Sequence, residues 1–360
     1  MLIGLLAARI ADALGSARRN PSAVLALDDE RLVAALAGAD KRHEAQRFLA
    51  TFEAAEAEAR VLAAGATAVC RHSIFYPTRL LQLPDPPAVL FTKGQVERGF
   101  ATLARGSAVA LVGSRQASPY ALDMARELGH GLAAAGITVV SGLALGVDAS
   151  SHVGALEASG FPVAVLGAGP DVVYPRANVR LHERIEAKGL LISELPPGQR
   201  PFRWSFPARN RIMAGLCEAT IVVEAAEGSG SLITTDFAQD LGRVVGAVPG
   251  PGGWARARGS NALLRSGAAV ITRTEDVLDE LSGIGVRRKD HDEEDDEGSP
   301  AEGGGSEHAV LDALTSGGGV DAACQATGLG AAEVRALLAR MEDSGCLHRD
   351  VLGGYARGSP

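Results

Sequence analysis

The chain has 360 residues, of which 46% are hydrophobic, and a formal net charge of −8. This length and composition provide cores for two or three domains and exclude a disordered protein. No run approaches the ~18 apolar residues that a membrane helix needs, and the amino terminus has no basic region followed by a long apolar stretch. We therefore expect a cytoplasmic protein without a membrane segment.

The four cysteines lie far apart, at positions 70, 217, 324 and 346. Without close pairs they indicate neither a disulfide framework nor a zinc site. We expect them to be small core residues, and we expect no bound metal.

Acidic and basic residues are segregated along the sequence. Residues 290–297 are almost wholly acidic and precede a Gly- and Ser-rich stretch, so 284–306 is predicted to be a linker. Arginines occur without acids in 195–217 and in 241–274. Local positive fields attract a polyanion whatever the overall charge. Solvated surface arginines are the alternative interpretation of the same two stretches.

Residues 1–65 are rich in Ala and Leu and show helical periodicity at 2–14 and 31–36. A turn and helix start stand at 20–22. This part of the chain is predicted to form a small N-terminal helical domain.

From residue 66 the pattern changes to short apolar runs that mostly alternate with helical stretches. The predicted strands are 67–70, 88–91, 108–112, 137–141, 162–166, 190–193, 219–224, 244–248 and 268–271. This alternation is typical of an α/β protein with a doubly wound parallel sheet and right-handed crossovers. Ligands of such sheets bind outside the carboxyl ends of the strands.

A glycine-rich turn follows the predicted strand that ends at Glu224. Its residues are Gly228, Ser229, Gly230 and Ser231. Glycine permits tight backbone geometry, and the helical run 232–241 presents free N–H groups and the positive end of its dipole. The turn is therefore predicted to be an anion site.

Further donors lie close to other strand ends. Arg209, Asn210 and Arg211 precede the strand at 219–224 and offer two guanidinium groups and an amide, which suit phosphate oxygens. For Arg209 and Arg211 the alternative is that an arginine next to a buried strand braces the loop through a carboxylate such as Glu224 or Glu194. Small residues and one more arginine follow two other strands: Gly113, Ser114, Arg115, Ser141 and Gly142.

Three other features have competing interpretations. Asp148 and His152 are four residues apart and share a helix face, either as an acid–base pair or, as we favour, as a packing pair. Trp204 and Phe206 either stack bases or pack in the core. Gly167 and Gly169 follow a strand, but Val172 replaces the third glycine of a dinucleotide fingerprint, so no redox cofactor is expected.

The stretch 206–235 and five further motifs together resemble one known family. The motifs are GSRQASPY (113–120), SGLALGVDASSH (141–152), YPRAN (174–178), SELPPG (193–198) and VPGP (248–251). In this order they are similar to the DNA-processing protein A family, DprA, also called Smf. The resemblance covers roughly residues 70–272.

The resemblance implies a Rossmann-like homodimer that binds single-stranded DNA, protects incoming DNA and helps load the RecA recombinase in natural transformation. It implies no catalytic residue and no cofactor. Arg115 and Arg176 fall where the family has basic DNA contacts. The full set of expected DNA-binding residues is Gly113, Ser114, Arg115, Ser141, Gly142, Arg176, Arg209, Asn210, Arg211, Gly228, Ser229, Gly230 and Ser231.

An enzymatic alternative rests on a second resemblance. The turn 228–231 and the strand pattern are also similar to nucleoside-monophosphate phosphoribohydrolases, which need a glutamate soon after their glycine–threonine step. Asp236 occupies that stretch and is an imperfect substitute, so we expect binding rather than hydrolysis.

The two ends of the chain carry separate expectations. The family often has a sterile-alpha-motif-like domain where residues 1–65 stand. Residues 307–360 are predicted to form three helices and a hairpin, with strands at 346–349 and 354–357, which indicates a winged-helix-like domain. Its acidic balance favours protein contact at least as much as DNA contact.

Overall fold

The structure is a computed structural model. It describes residues 27–282 as a continuous stretch, together with residues 6, 10, 24, 324, 325, 334, 347–349 and 355–357. Among these residues, no helix is long and apolar enough to cross a membrane.

The described part of the chain begins with helices and then alternates strands with helices. The helices are α1 (Asp29–Leu36), α2 (Ala39–Ala50), α3 (Ala54–Ala63), α4 (Val96–Arg105), α5 (Pro119–Ala134), α6 (Val147–Glu157), α7 (Val179–Lys188), α8 (Ser205–Leu216), α9 (Leu232–Asp240), α10 (Arg258–Arg265) and α11 (Thr274–Ser282). The strands are β1 (Thr67–Cys70), β2 (Val89–Gly94), β3 (Ala108–Val112), β4 (Thr138–Ser141), β5 (Val163–Leu166), β6 (Leu190–Ser193), β7 (Ala219–Val222), β8 (Val244–Ala247) and β9 (Ala269–Val270). Short 3-10 turns lie at Thr78–Gln82, Arg176–Asn178 and Ala255–Ala257.

In residues 27–282 the nine strands form one sheet in the order β1-β2-β6-β5-β4-β3-β7-β8-β9. The run from β6 to β9 is parallel, whereas β2 is antiparallel to both β6 and β1. The chain moves outward from β3 to β6, then returns to the other side of β3 as β7. The order in which the chain adds strands therefore reverses between β3 and β7. Open parallel sheets bind ligands at such a switch point.

Helices cover both faces of this sheet, and every residue of its central strands β3 to β7 is buried. Along β3, Ala108, Ala110 and Val112 belong to one apolar cluster, whereas Val109 and Leu111 belong to another on the opposite face. Such alternation follows from the two-residue period of a strand. The predicted doubly wound α/β sheet is thus confirmed as a mostly parallel sheet between helices.

The connection after β3 is fixed by a buried carboxylate. Ser118 caps α5, where its Oγ accepts a hydrogen bond from the Ala121 N–H at 3.2 Å. Glu224, which is 4% exposed, accepts hydrogen bonds from the Ser118 N–H at 3.0 Å and the Ser118 hydroxyl at 2.6 Å. The segment after β3 is therefore held beside the end of β7.

The N-terminal helices pack on the residues that precede α8. Leu32, Val33 and Ala45 share one buried apolar cluster with Leu195 and Trp204. The residues described before β1 are mostly helical, as expected, while the division into domains at residue 65 and the sterile-alpha-motif-like fold stay predictions.

Residues 288–360 form a second compact unit, of which little is described. Its strands β10 (Leu347–Arg349) and β11 (Tyr355–Arg357) pair antiparallel, with Leu347 opposite Arg357. They fall within the two strands predicted there. The winged-helix fold as a whole and the linker at 284–306 lie outside the described residues.

Candidate nucleic-acid interface

A cavity of about 820 Å³ opens at the carboxyl ends of β3 and β7, where the strand order reverses. Its walls come from the segments after β3 and β7, from the first half of α8 and from the start of α9. The predicted site residues that line it are Gly113, Ser114, Arg115, Arg209, Asn210, Gly228, Ser229, Gly230 and Ser231. Most of the expected DNA-binding residues, although far apart in sequence, thus meet in one place.

The rim of the cavity combines a cation with two aromatic rings. The guanidinium carbon of Arg115 lies 5.0 Å from the centre of the Phe206 ring. The Tyr174 ring is 5.5 Å from that of Phe206, at an interplanar angle of 39°. Arg115 and Tyr174 are exposed. Exposed aromatic faces beside a guanidinium are suited to stack a base and to contact a phosphate.

The opposite wall is the glycine-rich turn. Gly228 has φ of +76°, which favours glycine, and the Ser229 N–H donates to the Ala226 carbonyl at 3.0 Å. The hydroxyls of Ser229 and Ser231 lie 2.8 Å apart. The turn leads directly into α9, so the positive end of the helix faces the cavity as the sequence predicts.

Thr234 is a lining residue that sequence reasoning missed. It is fully buried, and its Oγ1 has no hydrogen-bond partner within the part of the chain that the structure describes. A buried hydroxyl without a partner costs stability, so its place on the cavity wall favours a polar ligand. The signal was available, since Thr234 lies three residues after Ser231 and therefore on the same side of α9.

Arg209 forms the floor of the cavity and is 7% exposed. Its Nη1 donates to the carbonyls of Gly142 and Val165, each at 2.5 Å, and its Nη2 lies 3.6 Å from a carboxylate oxygen of Asp148. Burial lowers the pKa of Arg209, Asp148 opposes this, and the charge of Arg115 lowers it further. Arg209 thus joins the ends of β4 and β5, with little of its guanidinium open to a ligand.

Position 142 has room only for glycine because the Arg209 guanidinium lies against it. A Cβ added at Gly142 would lie 1.8 Å from the Arg209 Nη1, so any side chain there displaces the guanidinium. Gly142 does not line the large cavity but a neighbouring one of about 80 Å³, which Arg115 and Phe206 also line.

Asn210 links the floor to the glycine-rich turn. Its Oδ1 accepts a hydrogen bond from the Arg209 Nε at 3.0 Å, and its Nδ2 donates to the Gly230 carbonyl at 3.1 Å. The orientation of the turn therefore depends on the floor.

Arg211 is not brought to the cavity. It is completely buried on another side of α8, where its Nε donates to Asp85 at 2.8 Å and its Nη2 to Glu194 at 2.7 Å. Burial by itself lowers the pKa of Arg211, but Glu194 and Asp85 together hold it above the usual value. Arg211 is therefore not available as a phosphate donor, and it is the centre of an internal ion-pair network, as in the alternative in which it braces the loop through Glu194.

Two other expected contacts also lie outside the cavity. Ser141 is fully buried and its hydroxyl donates to the Leu111 carbonyl at 2.6 Å, which ties β4 to β3. Arg176 is exposed at the start of a 3-10 turn and lines neither cavity. The roles of these residues in DNA binding stay predictions.

Asp148 and His152 are both buried, and of the two only Asp148 lines the cavity. Burial, with a contribution from Arg209, lowers the pKa of His152 to about 3, so its ring stays neutral near pH 7. Burial raises the pKa of Asp148, and Arg209 opposes that shift. Of the two interpretations of this pair, packing agrees with the geometry.

The two aromatic residues before α8 have different environments. Trp204 is 4% exposed and stacks on Phe202 at 5.8 Å within the cluster shared with the N-terminal helices. Phe206 lines the cavity. Arg203, an exposed residue of the acid-free stretch, also lines the cavity and was not singled out from the sequence.

The chain is similar in sequence to several known proteins. Protein DprA of Streptococcus pneumoniae is 42% identical over 206 residues, which are 57% of this chain and 71% of that protein. DprA of Bacillus subtilis is 39% identical over 226 residues, 62% of this chain and 75% of that protein. Protein Smf of Synechocystis is 39% identical over 209 residues, which span about half (52%) of its length.

Two solved structures are similar in fold. The X-ray structure of S. pneumoniae DprA gives a TM-score of 0.60 at 32% identity and covers 77% of this chain and 93% of that one. The structure of DprA from Helicobacter pylori, described for its single-stranded DNA binding mode, gives a TM-score of 0.54 at 29% identity. It covers 60% of this chain and 95% of that one.

The family model described as DNA recombination-mediator protein A matches residues 67–282. This range contains the complete nine-stranded sheet and every residue that lines the cavity. The chain therefore belongs to the DNA recombination-mediator protein A family, which includes the proteins named DprA and Smf.

Proposed function

We propose that this chain binds single-stranded DNA in the cavity between β3 and β7, and that it protects incoming DNA and helps load the RecA recombinase in natural transformation. One observation carries the proposal. A single cavity has an exposed guanidinium and aromatic rings on one side, and a helix N-terminus with a buried hydroxyl on the other. These groups match the bases and phosphates of an unpaired strand.

The recombinase and dimer parts of the proposal rest on family membership. Relatives named DNA processing protein DprA support a role in DNA processing, and the H. pylori relative is described as binding single-stranded DNA. We infer that this chain also acts as a homodimer, works in the cytoplasm and contacts RecA.

The test is a titration with single- and double-stranded DNA at several salt concentrations. Arg115→Ala should weaken single-strand binding about tenfold, because a charge-assisted contact is lost. The logarithmic salt slope should flatten by about 0.7.

Arg98→Ala is the matched control for that experiment. Arg98 is also exposed and lies 5.1 Å from an aromatic ring, that of Phe161, but it does not line the cavity. Equal loss in both variants would show that the cavity is not the DNA site, and a wild-type protein that ignores single strands would remove the proposal altogether.

We propose further that the chain is not a nucleoside-monophosphate hydrolase. Asp236, the residue on which that alternative depends, is exposed on α9 and does not line the cavity. Incubation with nucleoside monophosphates should release no free base. Release that is abolished in Asp236→Ala would establish the enzymatic alternative instead.

A further inference from the structure

The loop after β8 is a second exposed surface with aromatic and basic side chains. We define the tryptophan loop as residues 249–258. Trp254 in this loop is 48% exposed, and Arg256 and Arg258 are exposed beside it. A large exposed aromatic residue between exposed arginines is unusual, because indole rings are mostly buried in proteins.

The tryptophan loop is held firmly in place. The Asn261 side chain donates to the Gly250 carbonyl at 2.9 Å and accepts from the Gly250 N–H at 3.1 Å. The Trp254 N–H donates to the Pro251 carbonyl at 3.0 Å, and the Ala257 N–H donates to the Trp254 carbonyl at 3.1 Å. The indole is therefore presented on an ordered backbone, which lowers the entropy cost of binding.

The loop is joined to the wall of the cavity. At its far end the Gly259 N–H donates to the Ala225 carbonyl at 2.8 Å. A Cβ at Gly259 would lie 2.6 Å from the Ala226 carbonyl oxygen, so α10 begins directly against the segment that holds the glycine-rich turn. Ala226 itself lines the cavity. The two features also share the carboxyl edge of the sheet, since β7 and β8 are parallel neighbours.

The charge of this region points to a polyanion. Residues 241–274 contain five arginines and no acidic residue. Arg243 is engaged with Gln82 and Arg273 with Asp276. Among the described residues, no hydrogen bond or ion pair joins a carboxylate to Arg256 or Arg258.

We propose that the tryptophan loop is a second single-strand contact, on which Trp254 stacks a base and Arg256 and Arg258 bind the adjoining phosphates. This inference rests on the proposed function, because the strand is the one that leaves the cavity past Ala226. Alternating aromatic and basic groups are the usual composition of surfaces that bind unpaired nucleic acid without sequence preference.

Intrinsic fluorescence provides a direct test, because the full chain has only two tryptophans. Trp204 is buried and Trp254 exposed. Saturation with an oligothymidine of about 20 nucleotides should quench the wild-type emission. Trp254→Phe should retain most affinity but lose the quenching, since Phe still stacks and Trp204 remains shielded.

Affinity measurements test the same contact through strand length. Trp254→Ala should weaken binding of the oligothymidine of about 20 nucleotides roughly tenfold, which is within the range for one stacked base. An oligothymidine of about three nucleotides occupies the cavity alone, so its affinity should not change. Arg256→Ala should flatten the salt slope for the long strand by about 0.7. Phe52→Ala, at an exposed ring that belongs to neither the loop nor the cavity, is the control.

The outcomes separate this proposal from the proposed function. If Arg115→Ala weakens binding while Trp254→Ala and Arg256→Ala bind both lengths normally and DNA leaves the wild-type emission unchanged, the cavity binds DNA and the loop does not. If those loop variants lose RecA loading at unchanged DNA affinity, the loop contacts a protein and the proposal is wrong. If the wild type binds no single strand, both proposals fail.

Discussion

Two arginines of this protein, Arg115 and Arg211, have the same chemistry and opposite environments. Arg211 is fully buried between two carboxylates, whereas Arg115 is exposed over an aromatic ring at the rim of the cavity. The comparison shows that partners, rather than charge or sequence position, decide whether an arginine is available to a ligand. Arg209 is intermediate, because it lines the cavity while its donors are largely engaged by the protein.

The buried arginine stabilises the fold around the cavity. Arg211 connects α8 to Asp85 before β2 and to Glu194 after β6. It also donates to the Ala208 carbonyl within α8 at 2.9 Å. Since Arg209 and Asn210 occupy the same helix, the network at Arg211 holds the floor of the cavity in position without contacting it.

The largest expected effect comes from breaking that network. Arg211→Met removes the cation that lies between Asp85 and Glu194, and it should lower the free energy of unfolding by about 3–5 kcal/mol. The measurement is urea unfolding at pH 7. Arg98→Met, at an exposed arginine over the Phe161 ring, should cost about 1 kcal/mol or less. Equal costs in the two variants would contradict the structural role of Arg211.

A smaller effect is expected at the contact between Gly142 and the floor. Gly142→Ala places a methyl group against the Arg209 guanidinium, and overpacking of this kind costs about 1–3 kcal/mol. Because Arg209 must move, single-strand affinity should fall as well. Gly253→Ala is the matched control for stability alone, since a Cβ there meets nothing within 4 Å. A stable Gly142→Ala protein with normal DNA affinity would show that the floor has no effect on the site.

The third test uses pH. Burial depresses the pKa of His152 to about 3, so the unfolded chain binds this proton first as the pH falls, and the folded state loses stability between about pH 6.5 and pH 3. Asp148 acts with the opposite sign, since its folded pKa is raised. Burial also lowers the pKa of His182. His182 is present in both the wild type and His152→Leu, so its contribution to the pH dependence of stability cancels when the two are compared.

The informative quantity is therefore a difference in slope. The unfolding free energy of the wild type should fall by about 1.4 kcal/mol per pH unit more steeply than that of His152→Leu between pH 6 and 4. Urea unfolding at each pH provides both slopes. Equal slopes of unfolding free energy against pH would mean that the His152 ring is protonated in the folded protein. It would then be a second cation near Arg209.

The sequence was sufficient to place most of the cavity. Apolar runs located the strands, and the rule that ligands bind at carboxyl ends brought Gly113 to Arg115 together with the glycine-rich turn. Of the two interpretations of Arg211, a phosphate donor or a brace to a carboxylate such as Glu194, the structure agrees with the brace. Residues two apart on a helix do not share a face, so Arg209 and Arg211 could have been separated from the helical spacing alone.

Other features depended on contacts that no local pattern encodes. The burial of Trp204 results from helices at the start of the chain that pack on it. The engagement of Arg209 depends on carbonyls from two other strands. Long-range packing of this kind determines whether an aromatic residue or an arginine is buried in the core or available to a ligand. Composition does not determine it.

The smallest expected effect separates the two exposed arginines that family resemblance marks as DNA contacts. Arg115 lines the cavity and lies over Phe206, while Arg176 is exposed outside both cavities. Arg176→Ala should therefore weaken single-strand binding only about two- to threefold, as an exposed and screened charge contributes at most ~1 kcal/mol. The affinity deficit of Arg176→Ala should become smaller still at high salt. The deficit of Arg115→Ala should also shrink with salt but stay the larger of the two, because the guanidinium contributes stacking as well as charge. Melting temperatures of both variants should match the wild type, since neither side chain has a carboxylate partner among the described residues. A deficit for Arg176→Ala as large as that of Arg115→Ala would extend the DNA path beyond the cavity toward the segment after β5, on the side of the sheet away from the tryptophan loop.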